Sequence, residues 1–227
     1  MSESIIVARP EGQAEQLMLL FHGVGTTAHD MVPLGRLLAA EFPAAFIVSV
    51  NAPIATGPSA GQWFSVLDIT EENRPERVEA ALPAFIHAVH HWQGQAGVAT
   101  DAVALIGFSQ GGIMALEATR DQAPLAGRVI SIAGRFAKLP EAANEGTTLH
   151  LFHGKLDPVI PYGFTVEAAQ HLVKIGADVT ADVIPFVGHQ INDDIVALMI
   201  ERLRGHLPKR TWEAALKAAK ATASREE

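Results

Sequence analysis

The chain has 227 residues, 48% of them hydrophobic and 19% charged, and its 17 basic and 25 acidic side chains leave a formal charge of −8. This composition excludes a mainly disordered chain, and an acidic balance without a basic cluster argues against nucleic acid as a partner, because such binding rests on phosphate neutralisation by Lys and Arg. With no cysteine, disulfides, thiolate metal sites and a cysteine nucleophile are excluded, and a cytoplasmic location is expected.

The first residues, Met1-Ser2-Glu3-Ser4, lack the basic and apolar pattern of a signal peptide. No apolar stretch reaches the length of a membrane span; the richest, Leu37 to Val50, is broken by Glu41 and Pro43. Leu17–Phe21 reads as a buried strand and runs into His22-Gly23-Val24-Gly25. An H-G-x-G turn at an early strand end can offer a backbone N–H, here that of Val24, to an oxyanion. His22 reads as packing beneath that turn. A helix is predicted over Ala28–Glu41 and a strand over Ala45–Val50. Val78, Leu82, Phe85, Ile86, Val89 and Trp92 form a helical stripe, with Pro83 predicting a kink or a late start.

The next strand, Ala102–Gly107, leads into Gly107-Phe108-Ser109-Gln110-Gly111 and a helix over Gln110–Asp121. This is G-x-S-x-G in a strand–turn–helix setting. A turn that tight strains the serine backbone, demands small residues two positions away, and presents the Ser109 hydroxyl at a helix start. The partial positive charge there favours a developing anion, and the backbone N–H of Gln110 is the second oxyanion donor.

Strands follow over Arg128–Ala133 and Thr148–His153. After the latter, His153-Gly154-Lys155-Leu156-Asp157-Pro158 places Asp157 on a loop at the same sheet edge, where a carboxylate can fix a histidine tautomer. Asp68 lies too early for the order Ser…Asp…His, Asp121 ends the elbow helix, and Asp178 and Asp182 read as solvent-facing. A helix over Tyr162–Ile175 and a strand over Val179–Phe186 lead to His189, the one histidine past Asp157 at a strand end. His171 falls within a helix and His206 near the end of the helix over Ile191–His206. His87 and His91 are an i, i+4 pair without a third ligand and read as helix surface, so no metal site is expected; His29, His90 and His150 form no usable arrangement.

Strands alternating with helices, most strands continuously apolar, predict an α/β fold with a mostly parallel central sheet and helices on both faces. The expected organisation is one catalytic domain over residues 1–207. A peripheral helical tail over 208–227 then frays into a disordered end, with Trp212 and Leu216 as its only large apolar pair.

The order Ser109…Asp157…His189 is that of α/β hydrolases. At these residues the chain resembles the phospholipase/carboxylesterase family, which includes acyl-protein thioesterases and small bacterial carboxylesterases. The matching stretches are Leu20-Phe21-His22-Gly23-Val24-Gly25, Asn51-Ala52-Pro53, Gln62-Trp63-Phe64, Gly107-Phe108-Ser109-Gln110-Gly111-Gly112, His153-Gly154…Asp157-Pro158-Val159-Ile160 and Gly188-His189. They span Leu17 to about Leu207, and the likeness is greatest to a bacterial esterase subgroup carrying HGVG, QWFSV and GFSQG. Many family members continue Trp-Phe with Asp, where this chain has Ser65. The resemblance implies an α/β-hydrolase fold, small acyl esters or acyl-thioesters as substrates, and no cofactor, and there is no insertion long enough for a large lid. Trp63 and Phe64 are candidates for the acyl pocket, or plain core aromatics. Two other readings are a small serine peptidase or amidase, for which no recognition domain is visible, and a non-catalytic binding module, which would have lost a triad member.

Overall fold

The computed structural model describes residues 4–57, 60–120 and 123–223. In chain order its elements are β1 (Ile5–Ala8), β2 (Gln16–Phe21), α1 (Ala28–Glu41), β3 (Ala45–Val50), β4 (Ile54–Gly57), β5 (Ala60–Gln62), α2 (Arg74–Ala96), β6 (Val103–Phe108), α3 (Gln110–Glu117), β7 (Arg128–Ile132), β8 (Thr148–Gly154), α4 (Gly163–Lys174), β9 (Asp178–Ile184), α5 (Asp193–Gly205) and α6 (Lys209–Ala223).

Seven strands form one sheet in the order β1-β3-β2-β6-β7-β8-β9, while β4 and β5 make a separate hairpin. All neighbours in the large sheet are parallel except β1, which runs antiparallel to β3. The apolar strands split their side chains by alternation. Leu17, Leu19, Phe21, Leu105, Val129 and Leu151 face α2, α3 and α4, which contribute Phe85, Val89, Ile113 and Leu172. Met18, Leu20, Ile47, Ile106, Ile130 and Phe152 face α1 and α5, which contribute Leu34, Leu38, Ile195 and Met199. Burial on both faces is why these strands read as unbroken apolar runs.

Helix ends follow local chemistry. Thr27 and Asp30 form a reciprocal capping box on α1. Asn192 caps α5, which begins with Asp193 and Asp194 and carries Arg202 and Arg204 in its last turn, matching the helix dipole at both ends.

Several expectations need correction. α2 neither starts late nor breaks at Pro83 but is helical from Arg74, with Pro75 in its first turn; Pro83 faces water, where the lost backbone bond is tolerated. The elbow helix stops at Glu117 rather than continuing to Asp121, which lies outside the described residues. β9 ends at Ile184, two residues before Phe186, and is a half-exposed edge strand rather than a covered one. β1 and the β4–β5 hairpin had no counterpart in the sequence reading. Asp178 and Asp182 do not face solvent freely: their side chains are 13% and 20% exposed. Asp182 pairs with Arg202 at 3.0 Å.

Asp178 anchors the tail. It accepts hydrogen bonds from the Thr148 hydroxyl (2.6 Å), the Lys209 backbone N–H (2.9 Å) and His206 Nε2 (3.1 Å). Arg210 donates to Thr148 Oγ1 and to the Gly127 carbonyl. His150, which had suggested nothing in sequence, is fully buried in this cluster. Arg128 donates to its Nε2 at 3.0 Å, so its Nδ1–H donates to Thr180 Oγ1 at 2.8 Å. Beyond Arg210, residues 211–222 of α6 are exposed, and Trp212 and Leu216 do not dock. The expected fraying of the tail's end falls on residues 224–227, outside the described residues.

Two outcomes follow for stability. A chain ending after Thr211 retains the Asp178 and Arg210 contacts and should unfold within about 0.5 kcal/mol of the full chain. One ending at Leu207 loses them and should melt measurably lower in calorimetry. The second concerns acid. Burial, Arg128 and His206 push the His150 pKa from 6.5 down to about 3. Between those values the unfolded chain binds a proton that the folded chain refuses. Stability is therefore complete above about pH 7 and falls as pH drops, by up to ~1.4 kcal/mol per unit from this residue. Asp178, held below the carboxylate range, adds to the loss at lower pH. Urea denaturation at about pH 7.5 and about pH 5 should show a smaller pH slope for His150→Gln than for wild type; equal slopes would place the acid sensitivity elsewhere.

Candidate active site

The four strand ends singled out in the sequence meet at the carboxyl edge of the sheet, where β2, β6, β7, β8 and β9 stop side by side. Ser109 sits between β6 and α3 with φ 52° and ψ −115°, a left-handed backbone that only strong packing maintains in a non-glycine residue. That packing is visible at the flanking glycines. A Cβ on Gly107 would lie 2.3 Å from Gly111 backbone atoms, and one on Gly111 would lie 2.2 Å from the Phe21 carbonyl oxygen. The Ser109 N–H is held by the Ile132 carbonyl of β7 at 2.9 Å.

His189 Nε2 lies 2.9 Å from Ser109 Oγ, and His189 Nδ1 lies 2.7 Å from Asp157 Oδ2. With a carboxylate facing Nδ1, the proton resides on Nδ1 and Nε2 is the acceptor for the serine hydroxyl. The other carboxylate oxygen, Oδ1, accepts the backbone N–H groups of Val159 (2.8 Å) and Ile160 (2.9 Å). Burial alone would raise the Asp157 pKa; the hydrogen bonds from His189, Ile160 and Val159 outweigh it and hold the group below the ordinary carboxylate range. Phe108 packs its ring 5.0 Å from that of His189, fixing the imidazole from the side.

The turn after β2 is adjacent: a Cβ on Gly23 would stand 3.3 Å from Ser109 Cβ. His22 does more than pack beneath it. The Ala52 N–H donates to His22 Nε2 at 3.0 Å, so the ring proton sits on Nδ1 and is donated to the Gly23 carbonyl at 2.7 Å. Burial lowers the His22 pKa, against the Gly23 carbonyl and Asp30, which favour the charged form. A neutral imidazole is what this pairing requires, since a protonated Nε2 could not accept from Ala52. Val24 is exposed and Gln110 buried.

The Gln110 side chain accepts the Trp63 N–H at 2.7 Å and donates to the Phe64 carbonyl at 2.7 Å, imitating a strand partner. Trp63 Nε1 donates to the His22 carbonyl at 2.9 Å, and its ring stacks edgewise on Phe21 and Phe85. Trp63 and Phe64 are thus both buried, and they also wall a cavity of about 350 Å³ together with Pro53, Ile54, Ala80 and Ala84. No member of the Ser109, Asp157 and His189 group lines it. Ser65, where many family members have Asp, accepts the Leu67 N–H, and Arg77 donates to the carbonyls of Ser65 and Leu67. His87, His90 and His91 are exposed on α2.

The sequence reading missed four contributors: the ring of His22, Phe108, the side chain of Gln110, and His153. His153 is buried beside Asp157, donates from Nε2 to the Ile160 carbonyl at 2.7 Å and accepts from the Thr165 hydroxyl at 2.7 Å. Burial lowers its pKa. The glycine-flanked serine, the H-G-x-G turn and the ordered histidine and carboxylate on a parallel sheet define an α/β hydrolase.

Comparison with known proteins narrows this class. A family profile described as phospholipase/carboxylesterase matches residues 2–207. Esterase YpfH of Escherichia coli (strain K12) is 45% identical over 219 residues, covering 96% of this chain and 94% of that protein. Acyl-protein thioesterase 1 of Gibberella zeae is 24% identical over 212 residues, covering 84% of this chain and 90% of that protein. Among solved structures, esterase PE8 superposes with a TM-score of 0.79 at 26% identity, covering 90% of this chain and 98% of that one. The chain belongs to the phospholipase/carboxylesterase family and, with it, to the ester-hydrolysing enzymes. No helix among the described residues is long and apolar enough to cross a membrane.

The Gln110 clamp is open to test. Gln110→Ala would leave the buried Trp63 N–H and Phe64 carbonyl without partners, at about 1–3 kcal/mol each. The variant should show a clearly lowered melting temperature. An unchanged melt would mean that residues 63–64 find other partners.

Proposed function

We propose that the protein is a serine carboxylesterase working through Ser109, His189 and Asp157 and an acyl-enzyme intermediate. The observation that carries this reading is the continuous hydrogen-bond chain from Ser109 Oγ through the His189 ring to the buried Asp157 carboxylate, at 2.9 and 2.7 Å. Ser109 Oγ attacks the acyl carbonyl as His189 Nε2 takes its proton. Asp157 holds the Nδ1–H tautomer and stabilises the imidazolium. The tetrahedral oxyanion is bound by the backbone N–H groups of Val24 and Gln110, the latter aided by the start of α3. His189 then protonates the leaving alcohol, and the ester is left on Ser109. A water deprotonated by the same imidazole attacks that ester, and Ser109 recovers its proton as the acid departs.

The substrate is a small acyl ester. An acyl-thioester fits the same steps with a thiol as leaving group, and the likeness to acyl-protein thioesterases supports that extension. Trp63 and Phe64 are assigned to the acyl pocket on the strength of the cavity they wall, although the indole of Trp63 is also committed to the core. Residues 1–207 form the catalytic unit, whose end coincides with that of the family match. A chain without cysteine supports a cytoplasmic site of action.

Ser109→Ala should fold normally and lower kcat on an activated acyl ester by roughly 10³-fold or more. Asp157→Asn should keep the geometry but favour the wrong tautomer, with a loss on the order of 10⁴-fold. Steady-state hydrolysis with circular dichroism as the fold control measures both. A Ser109→Ala protein retaining about a tenth of wild-type activity would assign the nucleophile elsewhere.

A further inference from the structure

Between β8 and α4 the chain carries Asp157 on a turn that packing does not hold. Leu156, Pro158, Val159 and Pro161 are exposed, Ile160 is half-buried, and Asp157 is the one buried residue between Lys155 and Tyr162. A turn that takes so little apolar surface from water must be fixed by polar contacts. Its near side is zipped to the segment before His189: the N–H groups of Lys155 and Leu156 donate to the carbonyls of Ile184 and Val187, each at 2.8 Å. Its interior is an Asx turn, with Asp157 Oδ1 accepting the Val159 and Ile160 N–H groups. Its far side rests on His153.

His153, fully buried in β8 and paired in register with Val183 of β9, meets both ends of that turn. Its Nε2 is 2.7 Å from the Ile160 carbonyl oxygen and 3.2 Å from Asp157 Oδ2, the oxygen that faces His189 Nδ1. Both oxygens are acceptors, so the turn keeps its place only while Nε2 carries a proton; a bare nitrogen would set its lone pair against the two of them. The other ring nitrogen decides this. Nδ1 lies 2.7 Å from the hydroxyl of Thr165, which is buried in the first turn of α4. A hydroxyl donated to Nδ1 leaves the one N–H of a neutral imidazole on Nε2. Asp157 and His189 are the titratable groups that face this ring; burial lowers its pKa, against the Ile160 carbonyl and Asp157, which favour the charged form. A hydrogen-bonded chain thus runs from Thr165 through His153, Ile160 and Asp157 to His189 and Ser109.

We propose that His153, with its proton kept on Nε2 by Thr165, is the positioning residue that aims the Asp157 carboxylate at His189. It touches no reacting atom. It acts by holding Asp157 Oδ2 at 2.7 Å from His189 Nδ1, and so holds the imidazole in line with the Ser109 hydroxyl. This rests on the serine esterase reading.

The test separates the two ring nitrogens. A glutamine amide at position 153 reaches where Nε2 lies and can donate to the Ile160 carbonyl; an asparagine amide reaches only as far as Nδ1. On an activated acyl ester, His153→Gln should keep kcat within about threefold of wild type. Folded His153→Asn should lose about 10- to 100-fold in kcat at nearly constant KM, the scale of a misplacement of about 1 Å. Thr165→Val should lower kcat about fivefold, whereas Thr165→Ser, which keeps the hydroxyl, should not. In proton NMR of the free enzyme, the far-downfield signal of the His189 Nδ1–H should persist in His153→Gln and broaden or vanish in His153→Asn. Gln and Asn variants with equal kcat, or a Thr165→Val protein indistinguishable from wild type, would overturn the proposal while leaving the esterase reading intact. If His153→Asn does not fold, the Thr165 pair decides. A folded wild type inactive on the ester would overturn the esterase reading instead, and the NMR comparison, which needs no substrate, would still decide whether His153 positions Asp157.

Discussion

The geometry of the site depends on one close approach. The start of α3 comes so near the ends of β6 and β2 that Gly107 and Gly111 have no room for even a methyl group, the shortfall being more than 1 Å against backbone atoms that cannot move aside. This contact forces the chain to turn within a single residue, and Ser109 takes the positive φ. Its hydroxyl is thereby lifted off the sheet edge at the positive end of the α3 dipole. Because the atom opposing Gly111 is the Phe21 carbonyl, the same contact fixes the spacing between Ser109 and the His22–Gly25 turn.

Around this point, burial decides which groups carry charge. Asp157 stays ionised because three hydrogen bonds serve its two oxygens. His22 and His153 stay neutral because desolvation outweighs the partners that favour their charged forms. His153 Nε2 lies only 3.2 Å from the Asp157 oxygen that faces His189. A charged His153 would draw on the carboxylate's field at the expense of its hydrogen bond with His189. Held neutral and occupied by Ile160 and Thr165, it scaffolds the Asp157 loop without competing.

What could be read in the sequence was what repeats or stands out locally. The inner parallel strands were visible as apolar runs because both faces are covered, Ser109 and Asp157 because each follows such a run, and His189 because it is the one histidine past Asp157 at a strand end. β1 and the β4–β5 hairpin were not, being three or four residues long with no periodicity to betray them. β9 misled for a different reason: as an edge strand it interleaves Asp178 and Asp182 with apolar residues, and alternation looked like exposure when both carboxylates have partners from α5 and beyond. The roles of His22 and Gln110 lie in contacts to residues 30 and 47 positions away. No local pattern encodes such pairings; they exist only once the strands have been ordered.

The strand order leaves the sheet open, with β1 and β9 at its margins. The strands between them are almost wholly apolar, and a margin of that kind would template the addition of a strand from another molecule. Neither outer strand offers one. β1 has four residues and a register shift between Ile6 and Ala8 that interrupts its ladder. β9 carries two carboxylates, one braced by Arg202 and the other by the first residues of α6. The two aspartates that stand nowhere near Ser109 are therefore what lets a sheet this apolar end in water as a finished edge.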